Sequence, residues 1–149
     1  MAAPTVGIVG LNALRRDLVK LTADAGPLNR AFANAGMAAA EPVASATRAA
    51  LPQVSGELAA TVRVSRARSG AGVRMGNVSH RYAGWVEFGG TRKAPHETSR
   101  AYQSQGRYLF PAARRLASTA LEIYDHALLG ALQRFDWTNE TTNEGSVHD

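Results

Sequence analysis

Side chains that could catalyse a reaction are sparse and scattered in this sequence. The four histidines never pair at i, i+4 and have no acidic companion at the spacing of metal ligands. Cysteine is absent, which excludes thiol catalysis, disulfides and cysteine-based zinc sites. No serine lies in a G-x-S-x-G elbow, and the glycines of "VGIVG" at residues 6–10 lack the G-x-G-x-x-G spacing of a dinucleotide site. We therefore predict no enzyme, no metal and no cofactor.

One carboxylate stands out because of its neighbours. Glu87 lies in "YAGWVEFGGTRK", residues 82–93, between the apolar side chains of Trp85 and Phe88. A carboxyl in such surroundings could act as an acid, but no second carboxylate accompanies it. The favoured interpretation is an ion pair with Arg81 or Arg92.

The same stretch has the spacing of a short helical turn. Tyr82, Trp85 and Val86 fall at i, i+3 and i+4, and Gly89 and Gly90 allow the chain to leave the turn abruptly. We predict that the turn is a structural joint. Its tryptophan is expected to be mostly buried and to anchor the turn to a neighbouring hairpin.

Charge is distributed unevenly along the chain, whose formal net charge is +5. Residues 63–115 contain eleven Lys or Arg and two acidic residues, whereas residues 116–149 contain one basic and six acidic residues. A basic middle and an acidic end suggest contact with nucleic acid or with an acidic protein surface. A solvated surface that keeps the protein soluble is the alternative.

Helical periodicity covers both ends of the domain. Apolar residues spaced by three and four predict a helical region over residues 9–50, interrupted by "DAGP" at 24–27 and bent at Pro42. Its second half is mostly alanine and buries little area, so a partner is expected from the chain or from another copy. A last helix is predicted over residues 111–135, with Pro111 at its first position.

Between the helices the pattern changes to alternation. "TVRVSRAR" and "VRMGNV" flank a glycine-rich turn and predict a β-hairpin at residues 61–78 with one buried and one basic face. Residues 91–107 show no periodicity and are interpreted as a long polar loop, a length that usually marks function. We predict one α+β domain over residues 1–135 and a polar tail over 136–149.

Neither a membrane span nor a leader is predicted. No apolar run approaches eighteen residues, and no basic residue precedes Arg15. We expect a soluble protein made in a cytosol.

The order of the motifs resembles a known family. A helical region, "PQVSGEL", a basic hairpin, "YAGWVEFGG", a polar loop and "GRYLFPAAR" at the start of the last helix are similar to the small tail-component, or head-tail connector, proteins of long-tailed bacteriophages. The likeness spans residues 9–135. The positions that match the family's turn and helix start are Trp85, Glu87, Phe88, Gly89, Tyr108, Phe110, Pro111 and Ala112.

The resemblance implies a structural role without cofactor or catalytic residues. It implies a virion subunit of the neck or upper tail that forms a ring, with sixfold symmetry as the expectation, beside other connector and tail proteins. Tyr82 and Gly90 complete the expected joint. Candidate contacts with other subunits, or with DNA in the lumen, are Arg63, Arg66, Arg92, Lys93, Arg100 and Arg107. The alternative function is a small basic DNA-binding protein without sequence-specific readout.

Overall fold

The chain folds into helices packed against two small antiparallel sheets. The structure, a computed structural model, describes residues 4–7, 12–20, 25–53, 56–66, 70–93 and 97–134. Within these ranges the order of elements is β1 (Thr5–Gly7), α1 (Asn12–Lys20), α2 (Ala25–Ala50), α3 (Glu57–Thr61), β2 (Arg63–Arg66), β3 (Ala71–Arg74), α4 (Ala83–Phe88), β4 (Gly90–Arg92), β5 (Thr98–Arg100), α5 (Leu109–Arg115) and α6 (Ala117–Gln133). The predicted α+β class is confirmed.

The first sheet contains the predicted hairpin and one further strand. Its order is β1-β3-β2, with both pairings antiparallel. Val6, Val73 and Val64 form one row across the three strands, and this row faces the core. Alternation along a strand therefore turns Arg74 and Arg63 to the other face, where both are exposed.

Helix α2 spans both parts of the core. Toward its start, Leu28 and Phe32 pack with Tyr124 and Leu128 of α6. Toward its end, Val43 and its alanine neighbours pack with the three-stranded sheet. The alanine-rich face predicted to need a partner thus finds one within the chain, because small side chains allow α6 and the sheet to approach closely.

Three prolines lie in helices: Pro42 lies in the interior of α2, whereas the other two lie in the first turn of their helices. Pro27 is the third residue of α2 and Pro111 is the third residue of α5. The first N–H groups of a helix have no intrahelical acceptor, so proline loses nothing there. The prediction that "DAGP" interrupts the helix is wrong for residues 25–27, which begin α2, and α5 begins two residues before Pro111, its predicted first residue.

The C-terminal helical region consists of two helices, α5 and α6, whereas a single helix was predicted. Leu116 separates α5 from α6 with φ −99° and ψ 8°. The predicted apolar stripe is otherwise correct, since Ala120, Tyr124 and Leu128 are buried. The predicted end at residue 135 and the tail 136–149 lie outside the described residues.

Three features were not expected from the sequence. Strand β1 and the one-turn helix α3 were not predicted. The prediction of a structureless loop over residues 91–107 is wrong in its first half, because β4 and β5 pair as a second hairpin. Alternation was hidden there because the strands are three residues long and mostly polar.

Candidate functional site: an elbow joined to a helix start

The candidate site is the turn that the sequence singled out, here called the elbow and defined as residues 82–90. Helix α4 forms its centre, with Tyr82 preceding the helix and Gly89 ending it. The N–H of Gly89 donates to the carbonyl of Trp85 at 2.7 Å, and Gly89 has φ 87°. The predicted short turn closed by glycine is therefore present.

Glu87 is the centre of the elbow. Its side chain is fully buried, with 0% exposure. Oε2 accepts the backbone N–H groups of Tyr108 and Leu109, each at 3.0 Å, and Oε1 accepts that of Phe110 at 3.0 Å. The buried carboxylate thus serves as a cap supplied from outside the helix that it caps, in place of a local Ser, Thr, Asp or Asn.

This cap accounts for every N–H group at the start of α5. Glu87 takes the first three, and the next residue is Pro111, which has no N–H. The N–H of Ala112 then donates to the carbonyl of Tyr108 at 3.1 Å and closes the first turn. The apolar sequence "YLFPA" can therefore begin a helix in the interior without an unsatisfied donor.

Two glycines make room for this arrangement. Gly106 has φ 78°, and a Cβ there would collide with Oε1 of Glu87 and lie 3.0 Å from Cβ of Phe110. A Cβ at Gly89 would collide with the carbonyl oxygen of Ala101. Both glycines are thus required by positive φ and by close approach of a neighbour.

Trp85 connects the elbow to the hairpin of β4 and β5. The indole is half-buried, and its Nε1 donates to the carbonyl of Gly90 at 2.9 Å. The guanidinium carbons of Arg92 and Arg100 lie 5.1 Å and 5.7 Å from the centre of the indole ring. Cation–π attraction therefore holds both hairpin strands against the elbow.

Arg100 also bonds to both of the segments that Glu87 joins. Its Nη1 donates to the carbonyl of Val86 at 3.2 Å, and its Nη2 donates to the hydroxyl of Tyr108 at 3.2 Å. The rings of Phe88 and Phe110 make a further contact, with centroids 5.4 Å apart. The elbow, the second hairpin and the start of α5 therefore form one packed unit.

Two expectations for this region are corrected. Among the described residues Glu87 forms no ion pair with Arg81 or Arg92, since both carboxylate oxygens are occupied by backbone N–H groups. Trp85 is half-buried rather than mostly buried, and it anchors β4 and β5 rather than the hairpin of β2 and β3. A buried carboxylate needs hydrogen-bond donors for both oxygens, and the three N–H groups at the start of α5 supply them.

The six basic residues predicted to make contacts fall into two groups. Arg92, Arg100 and Arg107 are partly buried against the elbow and the segment that follows β5, and Arg107 Nη2 donates to the carbonyl of Ala101. Arg63, Arg66 and Lys93 are exposed. Only the second group therefore presents exposed charge to a partner, although Nη1 of Arg63 is bonded to two backbone carbonyls.

A signal for the cap was present in the sequence. Tyr108 precedes α5, and no Ser, Thr, Asp or Asn stands at residues 106–110 to cap it. The N–H groups of an uncapped helix start lack acceptors, and a lone carboxylate in an apolar turn lacks hydrogen-bond donors. Each can therefore satisfy the other. The sequence does not mark the two as partners, because they lie about twenty residues apart.

No cluster of three or more His, Asp or Glu side chains in the described ranges could hold a metal ion. No helix in those same ranges is both long enough and apolar enough to cross a membrane. Comparison with known protein families, with curated proteins and with solved structures found no match to the chain.

Proposed function

We propose that the chain is a structural virion protein, a ring-forming subunit of the head-tail connector or tail-completion assembly of a long-tailed bacteriophage. The observation that carries the proposal is the contact between Glu87 and the N–H groups of residues 108–110. The two motifs by which the sequence resembles that family, "VEFGG" and "YLFPA", are parts of one capped joint. This contact gives a physical reason for the two motifs to occur together in one chain.

The joint suits a subunit that must present a rigid surface to its neighbours. It fixes the hairpin of β4 and β5 through Trp85 and Arg100 without help from a ligand. Exposed Lys93 follows β4, and residues 101–105 after β5 are also exposed. Pre-ordering such a segment lowers the entropic cost of assembly.

Charge supports contact between unlike surfaces of neighbouring copies. Arg63, Arg66 and Arg74 are exposed on or beside the first sheet, whereas Glu122 and Asp125 are exposed on α6. Head-to-tail contact between a basic and an acidic surface generates closed rings when the rotation closes. We propose a homo-oligomeric ring of six copies in the neck or upper tail, beside other connector and tail proteins.

The test is to delete the gene from the genome that encodes the chain and to image the particles. A connector subunit predicts filled heads and tails that accumulate without joining, and restoration of joined particles by the wild-type gene. Fully joined, infectious particles in its absence would contradict the proposal.

A small DNA-binding protein is the second candidate, because exposed arginines cluster on one sheet face. The two functions differ in how strongly the complex that each one forms depends on salt concentration. A complex with DNA loses affinity steeply between low and moderate salt as counterions are released, whereas a ring whose charged contact also buries exposed apolar side chains of α6, such as Leu121 and Leu129, loses less.

A further inference from the structure

The outer face of the first sheet carries two arginines directly opposite each other. Arg63 of β2 and Arg74 of β3 are register partners, so their side chains leave the same face. Both are exposed, and neither forms an ion pair with a carboxylate of the described residues. Like charges directly opposite each other destabilise a sheet, so this pair costs stability unless an anion lies between or above them.

A cleft of about 380 Å³ adjoins Arg63, and Arg74 lies across the strands from Arg63 without lining the cleft. Arg63, Asn77, His80 and Arg81 are the polar residues among those that line it. The Arg81 side chain is exposed and has no hydrogen-bond partner in the described part of the chain. The carboxylate paired nearby is that of Glu57, whose Oε2 lies 3.7 Å from Nε2 of His80. Positive charge is therefore in excess around the cleft.

Arg63 is held in a fixed position at the edge of the cleft. Its Nη1 donates to the carbonyls of Thr61 at 3.0 Å and of Gly76 at 2.8 Å. The N–H of Gly76 donates in turn to Oγ1 of Thr61 at 2.8 Å, which locks this corner of the chain. The Nε and Nη2 groups of Arg63 have no acceptor among the described residues, so a pre-oriented guanidinium keeps donors for a ligand.

We propose that Arg63, Arg74 and Arg81 form a phosphate-binding site and that its ligand is the phosphodiester backbone of DNA. Arginine recognises phosphate oxygens through paired N–H donors. The residues that line the cleft include no Phe, Tyr or Trp and offer only the ring of His80 for stacking, so the contact is mainly with the backbone, without sequence readout. The inference does not depend on the proposed place in a virion, since it concerns only the ligand of this face.

The experiment measures binding of the full chain to a labelled DNA duplex by fluorescence anisotropy at several salt concentrations. The test variant is Arg74→Gln/Arg81→Gln, which leaves the hydrogen bonds of Arg63 intact. The matched control is Arg30→Gln/Arg115→Gln, which removes the same charge from exposed positions of α2 and α5. Titration of the wild-type chain with inorganic phosphate in a calorimeter forms a second arm.

We expect the test variant to lose at least about tenfold in affinity at low salt, and its slope of log Kd against log salt to fall by about 2, as loss of two phosphate contacts requires. The control should lose less than about threefold. Equal losses in both variants would overturn the site, because net charge alone would then explain binding. Binding of inorganic phosphate without binding of duplex would overturn the DNA assignment, and binding of neither would overturn the whole inference.

Discussion

Gly106 lies against the carboxylate of Glu87 so closely that a methyl group on its Cα would collide with Oε1. The carboxylate cannot retreat, because its oxygens accept three backbone N–H groups at 3.0 Å. The absence of a side chain at residue 106 is therefore part of the cap of α5.

Gly106→Ala should destabilise the fold more than Gly56→Ala. Both glycines have positive φ, 78° and 74°, but a Cβ at Gly56 meets nothing within 4 Å. The control variant should cost roughly 1–2 kcal/mol for the left-handed backbone alone. Gly106→Ala should cost about 2 kcal/mol more, because the cap is displaced as well. The free energy of unfolding in urea measures both, and equal losses would mean that Glu87 moves without cost.

Glu87→Gln tests the charge of the cap. The amide keeps one oxygen acceptor but turns an N–H₂ group toward backbone donors, so we expect a loss of about 2–3 kcal/mol. Glu97→Gln is the matched control, since Glu97 is exposed, and it should change stability by less than about 0.5 kcal/mol. Denaturant unfolding of the two variants in parallel gives the answer. Similar small changes in both would show that the buried charge does not stabilise α5.

Trp85 is expected to stabilise the fold through both its aromatic ring and the hydrogen bond from its Nε1. Trp85→Phe keeps most of the aromatic contact with Arg92 and Arg100 but loses the bond from Nε1 to Gly90, so about 1 kcal/mol should be lost. Trp85→Ala should cost about 2–4 kcal/mol, somewhat less than for a fully buried indole. Amide hydrogen exchange of residues 90–93 and 97–100 should rise in the alanine variant. Unchanged protection there would show that the indole does not stabilise the hairpin of β4 and β5.

Ionisation of Tyr124 is expected to lower the stability of the fold at alkaline pH. Its pKa is raised above the ordinary value of about 10, first because burial disfavours the phenolate and second because Asp125 is negative. The unfolded chain therefore loses this proton first, so the full stability is present below about pH 10 and falls as the pH rises above it.

The test is the pH dependence of unfolding for Tyr124→Phe, with Tyr102→Phe as control because Tyr102 is 70% exposed. Between about pH 9 and pH 11 the Tyr124 variant should lose stability less steeply than the wild-type chain. The Tyr102 variant should follow the wild-type curve. Parallel curves for all three proteins would show that Tyr124 ionises equally easily in both states.

Periodicity predicted the fold class, the first hairpin and the apolar stripe of α6, because each depends on residues close in sequence. Tyr124 and Leu128, for example, are recognisable from their spacing alone. The role of Glu87 was not predictable in this way. Its partners lie more than twenty residues away, and the bonds go to backbone groups that any residue carries.

The hairpin of β4 and β5 was not predicted, for a related reason. Thr91 and Ser99 pair across β4 and β5 with polar side chains, so no apolar alternation marks the strands. Their stability comes from Trp85 and from two arginines, which sequence reasoning assigned to contact with a partner. Arginines thus pack against the elbow in the hairpin of β4 and β5 and are exposed in the hairpin of β2 and β3.

An image of the assembled particle tests the central proposal most directly. A cryo-electron microscopy reconstruction of the head-tail junction should show copies of this chain in a closed ring around the particle axis, with residues 91–107 or the arginine face of the first sheet at subunit contacts or lining the lumen. Single copies away from any symmetric ring, or a ring in which both surfaces face open solvent, would contradict the account.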